Sequence, residues 1–274
     1  MIRNRLREIW QGGGTALNGW LSVPDPFPAE IMARQAWDSL TIDMQHGAVD
    51  YQAALRMLTA IATSPAVPVV RVPWLDPAHL MKALDAGALG IICPMINTAE
   101  DAARFVAWTS YPPDGVRSFG PLRANLYHGP DYYASANRTI VRFAMVETRA
   151  ALDNLDAILA TPGLDAVYVG PSDLSLSLGC RPRLDGLDAD AEAAVRTILD
   201  KVTAAGLVPG IHTGSIDGAL TRVDQGWRFV STGNDAGYIA QGAAATVAAM
   251  RARLGPGPGG RGEAAPAAAG PYGA

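Results

Sequence analysis

The chain has 274 residues, 49% of them hydrophobic, and a formal net charge of −4 at pH 7. This charge leaves no basic excess for binding a phosphate backbone, so we expect no nucleic-acid partner. The longest apolar runs, such as 89–95, fall far short of the roughly 20 residues that a membrane span needs. Residues 1–10 carry charges instead of a signal-peptide core. The sequence therefore predicts a cytoplasmic protein with no membrane partner.

The chain contains two cysteines, Cys93 and Cys180. They are too few for a disulfide framework, and neither lies in a CxxC or Cys/His spacing that would bind zinc. We interpret both as small packing residues.

Short apolar runs of β-forming residues alternate with longer amphipathic segments along the chain. The predicted strands are 15–23, 39–44, 67–72, 90–95, 142–147, 166–170, 208–212 and 228–232. The predicted helices between them are 51–63, 77–86, 98–110, 149–160, 189–205 and 216–225.

Strands that alternate with crossover helices pair in parallel, and eight such units in about 250 residues fit a closed (β/α)8 barrel. An open doubly wound sheet is the alternative. That alternative lacks its dinucleotide-binding signature, because no predicted strand is followed by a GxGxxG turn and the glycine run 12–14 precedes the first strand.

Two segments depart from this rhythm. Residues 111–140 are too long for an ordinary connection and contain several Pro and Gly residues besides Arg117 and Arg123, so we predict a loop over the barrel mouth. The tail 255–274 is of low complexity and cannot bury a core. We therefore predict one catalytic barrel domain over 1–254, followed by a flexible, non-catalytic tail.

Catalytic groups of a β/α barrel lie at the carboxyl ends of its strands, so those ends can be searched for ionisable residues. Glu147 ends the fifth predicted strand, and Asp173 follows the sixth. Two carboxylates with open positions are the usual protein contribution to a Mg²⁺ or Mn²⁺ site, and a chelating 2-oxo acid would suit the remaining positions. The alternative is that both are solvated loop residues or helix caps.

Other strand ends carry residues suited to proton transfer or anion binding. His46 lies just past the second strand, where it is either an acid/base that Asp85 could orient or a structural residue. Arg71 ends the third strand, as either an oxyanion clamp or a solvated surface residue. The segment 170–174 opens a helix whose N–H groups could hold a carboxylate, and His212 ends the seventh strand.

Six segments, taken in order, closely resemble the class II pyruvate aldolases of the hydroxyoxoheptanedioate and ketodeoxyglucarate aldolase type. They are 42–47 (IDMQHG), 69–71 (VVR), 94–95 (PM), 111–117 (YPPDGVR), 146–148 (VET) and 170–175 (GPSDLS). The likeness runs from about residue 15 to residue 254, and its motifs fall on the predicted strand ends.

This resemblance implies a barrel of the phosphoenolpyruvate/pyruvate superfamily. It also implies a divalent cation (Mg²⁺, Mn²⁺ or Co²⁺) held by Glu147 and Asp173 and chelated by a 2-oxo acid. The N–H groups near Gly170 and Ser172 would hold the substrate carboxylate.

The same resemblance implies that Arg71 stabilises the enolate oxygen. It implies further that His46, paired with Asp85, acts as the acid/base through a bound water. Family members are typically hexamers that exchange their C-terminal helix, which corresponds here to 238–254.

Two positions depart from the family pattern. Gln45 replaces a Glu that commonly precedes the histidine, which would alter the surroundings of His46 or the donor pocket. His212 replaces an apolar residue, which makes a more polar donor such as hydroxypyruvate worth testing. Trp20 matches a position near the substrate, with ordinary barrel packing as the alternative.

The predicted activity is reversible aldol addition or cleavage between a pyruvate-like 2-oxo acid and an aldehyde. A Schiff base is not expected, because the only lysines, Lys82 and Lys201, lie in predicted helices. One alternative is a lyase for acyl-CoA thioesters such as malyl-CoA, but its nucleotide would need a basic groove, and only Arg117 and Arg123 cluster. The other is a barrel that binds ligands without catalysis.

Overall fold

The computed structural model describes residues 3–255 and confirms the predicted barrel, in which eight parallel strands close into one ring in chain order. The strands are β1 (Ala16–Leu21), β2 (Ser39–Asp43), β3 (Val67–Arg71), β4 (Gly90–Cys93), β5 (Val141–Val146), β6 (Ala166–Val169), β7 (Val208–Thr213) and β8 (Phe229–Thr232). Each overlaps one of the predicted runs.

The helices include all six that the sequence predicts, although the segment 149–160 forms two helices with Asn154 between them. They are α1 (Arg5–Gln11), α2 (Pro26–Ala33), α3 (Tyr51–Ile61), α4 (Pro77–Asp85), α5 (Ala99–Thr109), α6 (Leu122–His128), α7 (Tyr132–Thr139), α8 (Arg149–Asp153), α9 (Leu155–Leu159), α10 (Pro171–Ser177), α11 (Ala189–Ala204), α12 (Ile216–Gln225) and α13 (Asp235–Leu254). In α3, the Asp50 side chain caps the start by accepting from Ala53 N–H at 2.7 Å, and Leu58 and Ile61 face the barrel.

Apart from the exposed Leu17 in β1 and two half-buried end residues, the strands are buried on both faces, which explains their nearly continuous apolar runs. Inside the barrel, the aromatic rings of Trp20, Phe143, Tyr168 and Phe229 are fully buried and pack in one cluster. The outer faces of the strands pack against the apolar sides of the surrounding helices. Fixed strand ends on a filled barrel give the loops above them a rigid base.

Residues 111–140 do not cover the catalytic mouth, contrary to the prediction from sequence. Each strand leaves the barrel at its carboxyl end and its helix runs back, so the segment between α5 and β5 lies at the amino ends of the strands. Arg142, at the start of β5, accordingly donates to Thr109 Oγ1 at 2.8 Å and to the carbonyl of Asn137 at 3.1 Å. The segment also contains two helices, α6 and α7.

Helix α13 is anchored only at its beginning. Asn234 accepts from Gly237 N–H at 2.7 Å, and the buried Asp235 carboxylate accepts from the N–H groups of Ser22 and Val23 at 2.8 and 3.1 Å. From residue 238 to residue 254 every side chain is exposed in the single chain.

No helix within residues 3–255 is both long and apolar enough to cross a membrane. Of the predicted tail, only Gly255 is described, and residues 256–274 lie outside the described range, so the flexible tail stays a prediction.

Candidate active site

The carboxyl ends of the strands surround a small pocket, and five residues predicted from sequence line it. The lining residues are Arg71, Met145, Gly170, Ser172, Asp173, Leu184 and His212. The enclosed volume is about 20 Å³, which holds roughly one water molecule, so a substrate would extend into the open mouth. Two larger cavities, of about 880 and 970 Å³, contain none of the predicted site residues, so size does not identify the site.

Glu147 lies just past β5 and is almost fully buried, with 2% of its surface exposed. Its Oε1 accepts from Met95 N–H at 2.9 Å, and Met95 adopts a left-handed φ of 56°. A Cβ on Gly170 would come within 2.7 Å of Glu147 Oε2 and 2.6 Å of Met145 Cε, so a larger residue there would displace these side-chain ends. Burial raises the pKa of Glu147 to about 7; the Met95 hydrogen bond opposes this shift, and the charge of Asp173 adds to it. A nearby cation would stabilise the ionised carboxylate.

Asp173 lies in the first turn of α10, which follows β6 directly because Pro171 supplies the φ angle of the first helical position. The N-cap is Gly170, and no side chain caps this helix. The exposed Asp173 carboxylate has no hydrogen-bond or ion-pair partner within the described chain. Helix capping therefore does not account for Asp173, and its carboxylate is available to a ligand.

These two carboxylates suit a hard divalent cation that takes only some of its ligands from the protein. Among residues 3–255, no group of three or more His, Cys, Asp or Glu side chains could hold a metal ion. Two carboxylates whose remaining partners are water and substrate oxygens are typical of Mg²⁺ or Mn²⁺ sites, whereas structural zinc sites use four Cys or His ligands. Glu147 and Asp173 therefore fit the predicted metal.

Arg71 is held in a buried bidentate ion pair with Asp43. Its Nε donates to Asp43 Oδ1 at 2.9 Å, and its Nη2 donates to Oδ2 at 2.6 Å. Trp20 lies against this pair, donating from Nε1 to Asp43 Oδ2 at 3.2 Å, with its ring centroid 4.8 Å from the guanidinium carbon. Burial would raise the pKa of Asp43, but the charge and hydrogen bonds of Arg71 outweigh it and lower the pKa. Because Arg71 is 4% exposed, the surface interpretation is wrong.

Asp43 belongs to this cluster, although the sequence predicted no role for it. Its Oδ1 also accepts from the N–H groups of Gln45 and His46, at 3.0 and 3.2 Å, which shapes the turn after β2. The register of β2 and β3 pairs Asp43 directly with Arg71. Its position near the end of the second predicted strand, 39–44, was the available signal, but its partner on the neighbouring strand was not.

His46 and Asp85 are not paired within one chain. His46 is exposed, and its imidazole makes no hydrogen bond or ion pair in the part of the chain that the structure covers. Asp85 accepts instead from Arg117 Nη2 at 2.7 Å, and Arg117 also donates to Tyr132 Oη at 3.1 Å. Asp85 is the last residue of α4, at the amino ends of the strands, whereas His46 follows β2 at their carboxyl ends. The barrel topology therefore separates them.

His212 forms part of the pocket wall and is 7% exposed. Its ring packs edge-on against Trp20, with 4.7 Å between the centroids, and its Nδ1 lies 2.9 Å from Tyr168 Oη. Burial, together with the charge of Arg71, lowers the pKa of His212 to about 3, so the ring is neutral near pH 7. Trp20 is fully buried and supports the pocket from below without lining it.

Two buried polar atoms near the pocket, Ser172 Oγ and Gln45 Oε1, have no hydrogen-bond partner among the described residues. Buried polar groups are normally satisfied, because leaving one unpaired costs about 1–3 kcal/mol. Ser172 lines the pocket, so a bound anion or water would supply its missing partner.

These features define a β/α barrel with an acidic pair and a buried, oriented arginine at the carboxyl ends of its strands. The chain belongs to the HpcH/HpaI aldolase/citrate lyase family, whose model matches residues 18–241. It is accordingly an aldolase, a carbon–carbon lyase.

Its relatives include named aldolases that match over nearly their full length. The hydroxypyruvate/pyruvate aldolase of Rhizorhabdus wittichii is 41% identical over 249 residues, which cover 91% of this chain and 99% of the relative. The 4-hydroxy-2-oxo-heptane-1,7-dioate aldolase of Salmonella dublin is 34% identical over 250 residues, 90% of this chain and 94% of the relative. A solved HpcH/HpaI aldolase/citrate lyase family protein from Burkholderia cenocepacia superposes with a TM-score of 0.84 at 32% identity, covering 90% of this chain and 98% of that one. The resemblance seen in the motifs is confirmed.

Proposed function

We propose that the protein catalyses reversible aldol addition and cleavage between an aldehyde and the enolate of a pyruvate-like 2-oxo acid, with a divalent cation held by Glu147 and Asp173. One observation carries this proposal. A buried Glu147 carboxylate lies near the Asp173 carboxylate and beside a pocket that Arg71 lines in a fixed orientation. The family generally depends on divalent metals, and Mg²⁺, Mn²⁺ and Co²⁺ all suit this donor set.

When bound, the cation would polarise the carbonyl of the 2-oxo acid and favour its enolate. Arg71 would donate hydrogen bonds to the same oxygen, and little reorganisation would be needed because Asp43 already orients the guanidinium. Ser172 Oγ and the N–H groups at the start of α10 would hold the substrate carboxylate.

His46 would carry the proton of the aldol hydroxyl, directly or through a water, because it is exposed beside the mouth with no competing partner among residues 3–255. If Asp85 orients His46, it must come from another copy of the chain, since the two lie at opposite ends of one barrel.

The donor would be pyruvate or hydroxypyruvate. The relative from R. wittichii carries both names, and His212 gives this pocket a polar wall that would suit a hydroxymethyl group.

A second copy of the chain would complete the fold by exchanging α13, in a hexamer as the resemblance implies. In the single chain, α13 exposes apolar side chains, with Ile239, Val247, Met250 and Leu254 between 56% and 68% exposed. A groove of about 970 Å³ beside β1 and α12 exposes Leu17, Ile216, Leu220 and Val223. Apolar surfaces of this kind favour burial against a partner, and native mass spectrometry showing only a monomer would refute this assembly.

The acyl-CoA lyase alternative gains no support from the arginines that would form its nucleotide groove. The two arginines that cluster in the sequence lie at the amino ends of the strands, where Arg117 pairs with Asp85 and Arg123 donates to the carbonyls of Ala86 and Leu58. A barrel that binds without catalysis stays a second candidate only if no substrate is turned over. We expect small-molecule partners, and the cytoplasmic location stays a prediction.

The decisive experiment assays a panel of 2-oxo acids and aldehydes with each metal, with EDTA, and beside a CoA-thioester cleavage assay. We expect aldol products that disappear with EDTA and return when metal is added. Turnover that survives complete metal removal would refute the metal role, and thioester cleavage without aldol activity would favour the lyase alternative.

A further inference from the structure

A chain of buried hydrogen bonds runs through the barrel interior and ends at the pocket wall. It begins at His212 Nδ1, which lies 2.9 Å from Tyr168 Oη. Tyr168 Oη lies 2.8 Å from Ser231 Oγ, and Asn18 Nδ2 donates to the same Ser231 Oγ at 2.8 Å. Asn18, Tyr168 and Ser231 are completely buried, so no bulk water competes with these bonds.

The far end of this chain orients the Asn18 amide. Ser39 Oγ and Thr41 Oγ1 donate to Asn18 Oδ1 at 2.7 and 3.0 Å, so the amide nitrogen of Asn18 points to Ser231. The Tyr168 and Ser231 hydroxyls share one hydrogen bond, in which either oxygen can donate. The Tyr168 hydroxyl can accept from or donate to His212 Nδ1, and in either case their 2.9 Å hydrogen bond holds Nδ1 towards Tyr168.

The aromatic neighbours of His212 also restrict its ring. Trp20 packs edge-on against the imidazole and lies nearly parallel to Tyr168, with 5.9 Å between centroids and 13° between planes. Turning the imidazole by half a rotation would place a C–H group against Tyr168 Oη, and the hydrogen bond to Nδ1 would be lost. The Tyr168 hydroxyl therefore selects one of two ring orientations that the cavity shape alone would hardly distinguish.

We propose that Tyr168 is a positioning residue that holds His212 in this orientation, and that it thereby makes the pocket prefer a 2-oxo acid with a hydroxyl at C3 over pyruvate. The selectivity rests on the proposed aldolase function. Several polar groups of the pocket would serve metal and carboxylate binding. The rest of the wall consists of Met145, Leu184 and His212, so the imidazole edge is the polar part of this remaining wall. The ring is neutral, as its lowered pKa of about 3 requires, so the preference comes from hydrogen bonding and not from charge.

The test compares Tyr168→Phe with wild type in the metal-loaded enzyme, using pyruvate and hydroxypyruvate as donors with one aldehyde. We expect kcat/KM for hydroxypyruvate relative to pyruvate to fall about three- to tenfold, the scale of one net hydrogen bond, mainly through KM for hydroxypyruvate. In a His212→Phe background, Tyr168→Phe should change this ratio less than about twofold, because the interaction to be lost is already absent. Tyr127→Phe, which removes a hydrogen bond to the Ala62 carbonyl far from the pocket, should leave the ratio unchanged.

A second readout is independent of activity. The ¹⁵N chemical shifts of His212 in the free protein report the tautomer, and we expect one predominant tautomer in wild type and a different tautomer distribution in Tyr168→Phe. Ser231→Ala removes a hydrogen-bond partner of the Tyr168 hydroxyl and should shift the same signals, which keeps the test available if Tyr168→Phe does not fold.

An unchanged donor ratio with unchanged ¹⁵N shifts would overturn the inference, as would an equal effect of Tyr168→Phe in the His212→Phe background. Absence of any aldol activity in wild type would instead refute the proposed function and the selectivity together. The ¹⁵N shifts would then still decide whether Tyr168 positions the ring.

Discussion

Replacing Asp43 with asparagine tests whether a preoriented Arg71 is central to this site. All five hydrogen bonds that reach the Asp43 carboxylate come from N–H donors, three at Oδ1 and two at Oδ2. The asparagine side chain has the same shape, but its NH₂ group must face donors at one of the two oxygen positions. The orientation that loses fewer hydrogen bonds keeps an oxygen at the Oδ1 position and loses the bonds from Arg71 Nη2 and Trp20 Nε1.

The expected cost follows from burial. Arg71 is 4% and Asp43 0% exposed, so the variant leaves a guanidinium without its counter-charge in a dry site. Breaking such a buried pair by removing one partner costs about 3–5 kcal/mol of the free energy of unfolding. Turnover should also fall roughly 10²- to 10³-fold, the range for losing one oriented oxyanion donor.

Denaturant unfolding and steady-state kinetics on the same preparation measure both effects. Because the pKa of Asp43 in the folded state lies below its ordinary value of 3.8, the wild-type stabilisation is complete above about pH 3.8. This contribution to the free energy of unfolding is lost as the pH falls through the lowered folded-state pKa of Asp43. The free energy of unfolding of Asp43→Asn should therefore lack this dependence on acid pH.

The control is Asp156→Asn, whose carboxylate pairs with Lys201 at 2.8 Å but is 78% exposed, so little stability should be lost. If Asp43→Asn unfolds within about 1 kcal/mol of wild type and keeps full turnover, then the Asp43–Arg71 pair does not organise the site as we argue.

Four further substitutions test the other parts of the site. Glu147→Gln, with Asp173 intact, should abolish metal-dependent turnover and leave a folded protein, because an anionic ligand is lost but little volume. Arg71→Lys should lower kcat/KM roughly 10²- to 10³-fold, since a point charge cannot replace the bidentate fork. His46→Ala should lower the aldol rate roughly 10²- to 10⁴-fold at an unchanged melting temperature, because the side chain is exposed. Gly170→Ala should weaken metal binding in a calorimetric titration, because its Cβ would lie 2.7 Å from Glu147 Oε2.

Each of these has an outcome that would contradict it. A Glu147→Gln enzyme that still responds to metal would move the metal site elsewhere, and full turnover in Arg71→Lys would remove its role at the enolate oxygen. A destabilised but fully active His46→Ala protein would make His46 structural. Gly242→Ala is the control for Gly170, since nothing lies within 4 Å of its Cβ, and it should bind metal as wild type does.

The sequence alone determined the barrel and the strand ends that carry ionisable residues. Short apolar runs and period-3.6 hydrophobic patterns are local, so they identified each strand and located Glu147 and Asp173 at or just after strand ends. A barrel brings all carboxyl ends to one face, so the convergence of Arg71, Asp173 and His212 on one pocket followed from topology without knowledge of distances.

Partners across the barrel were decided only by the tertiary structure. The pairing of Asp43 with Arg71 depends on strand register, and the contact between Tyr168 and His212 depends on which residues of neighbouring strands point inward. The resemblance pairs Asp85 with His46, but within one chain helix α4 runs back along the barrel and carries Asp85 to the opposite end, where Arg117 binds it. Periodicity encodes which face of an element is buried, whereas the identity of the group on the facing element is set by packing between segments far apart in the chain.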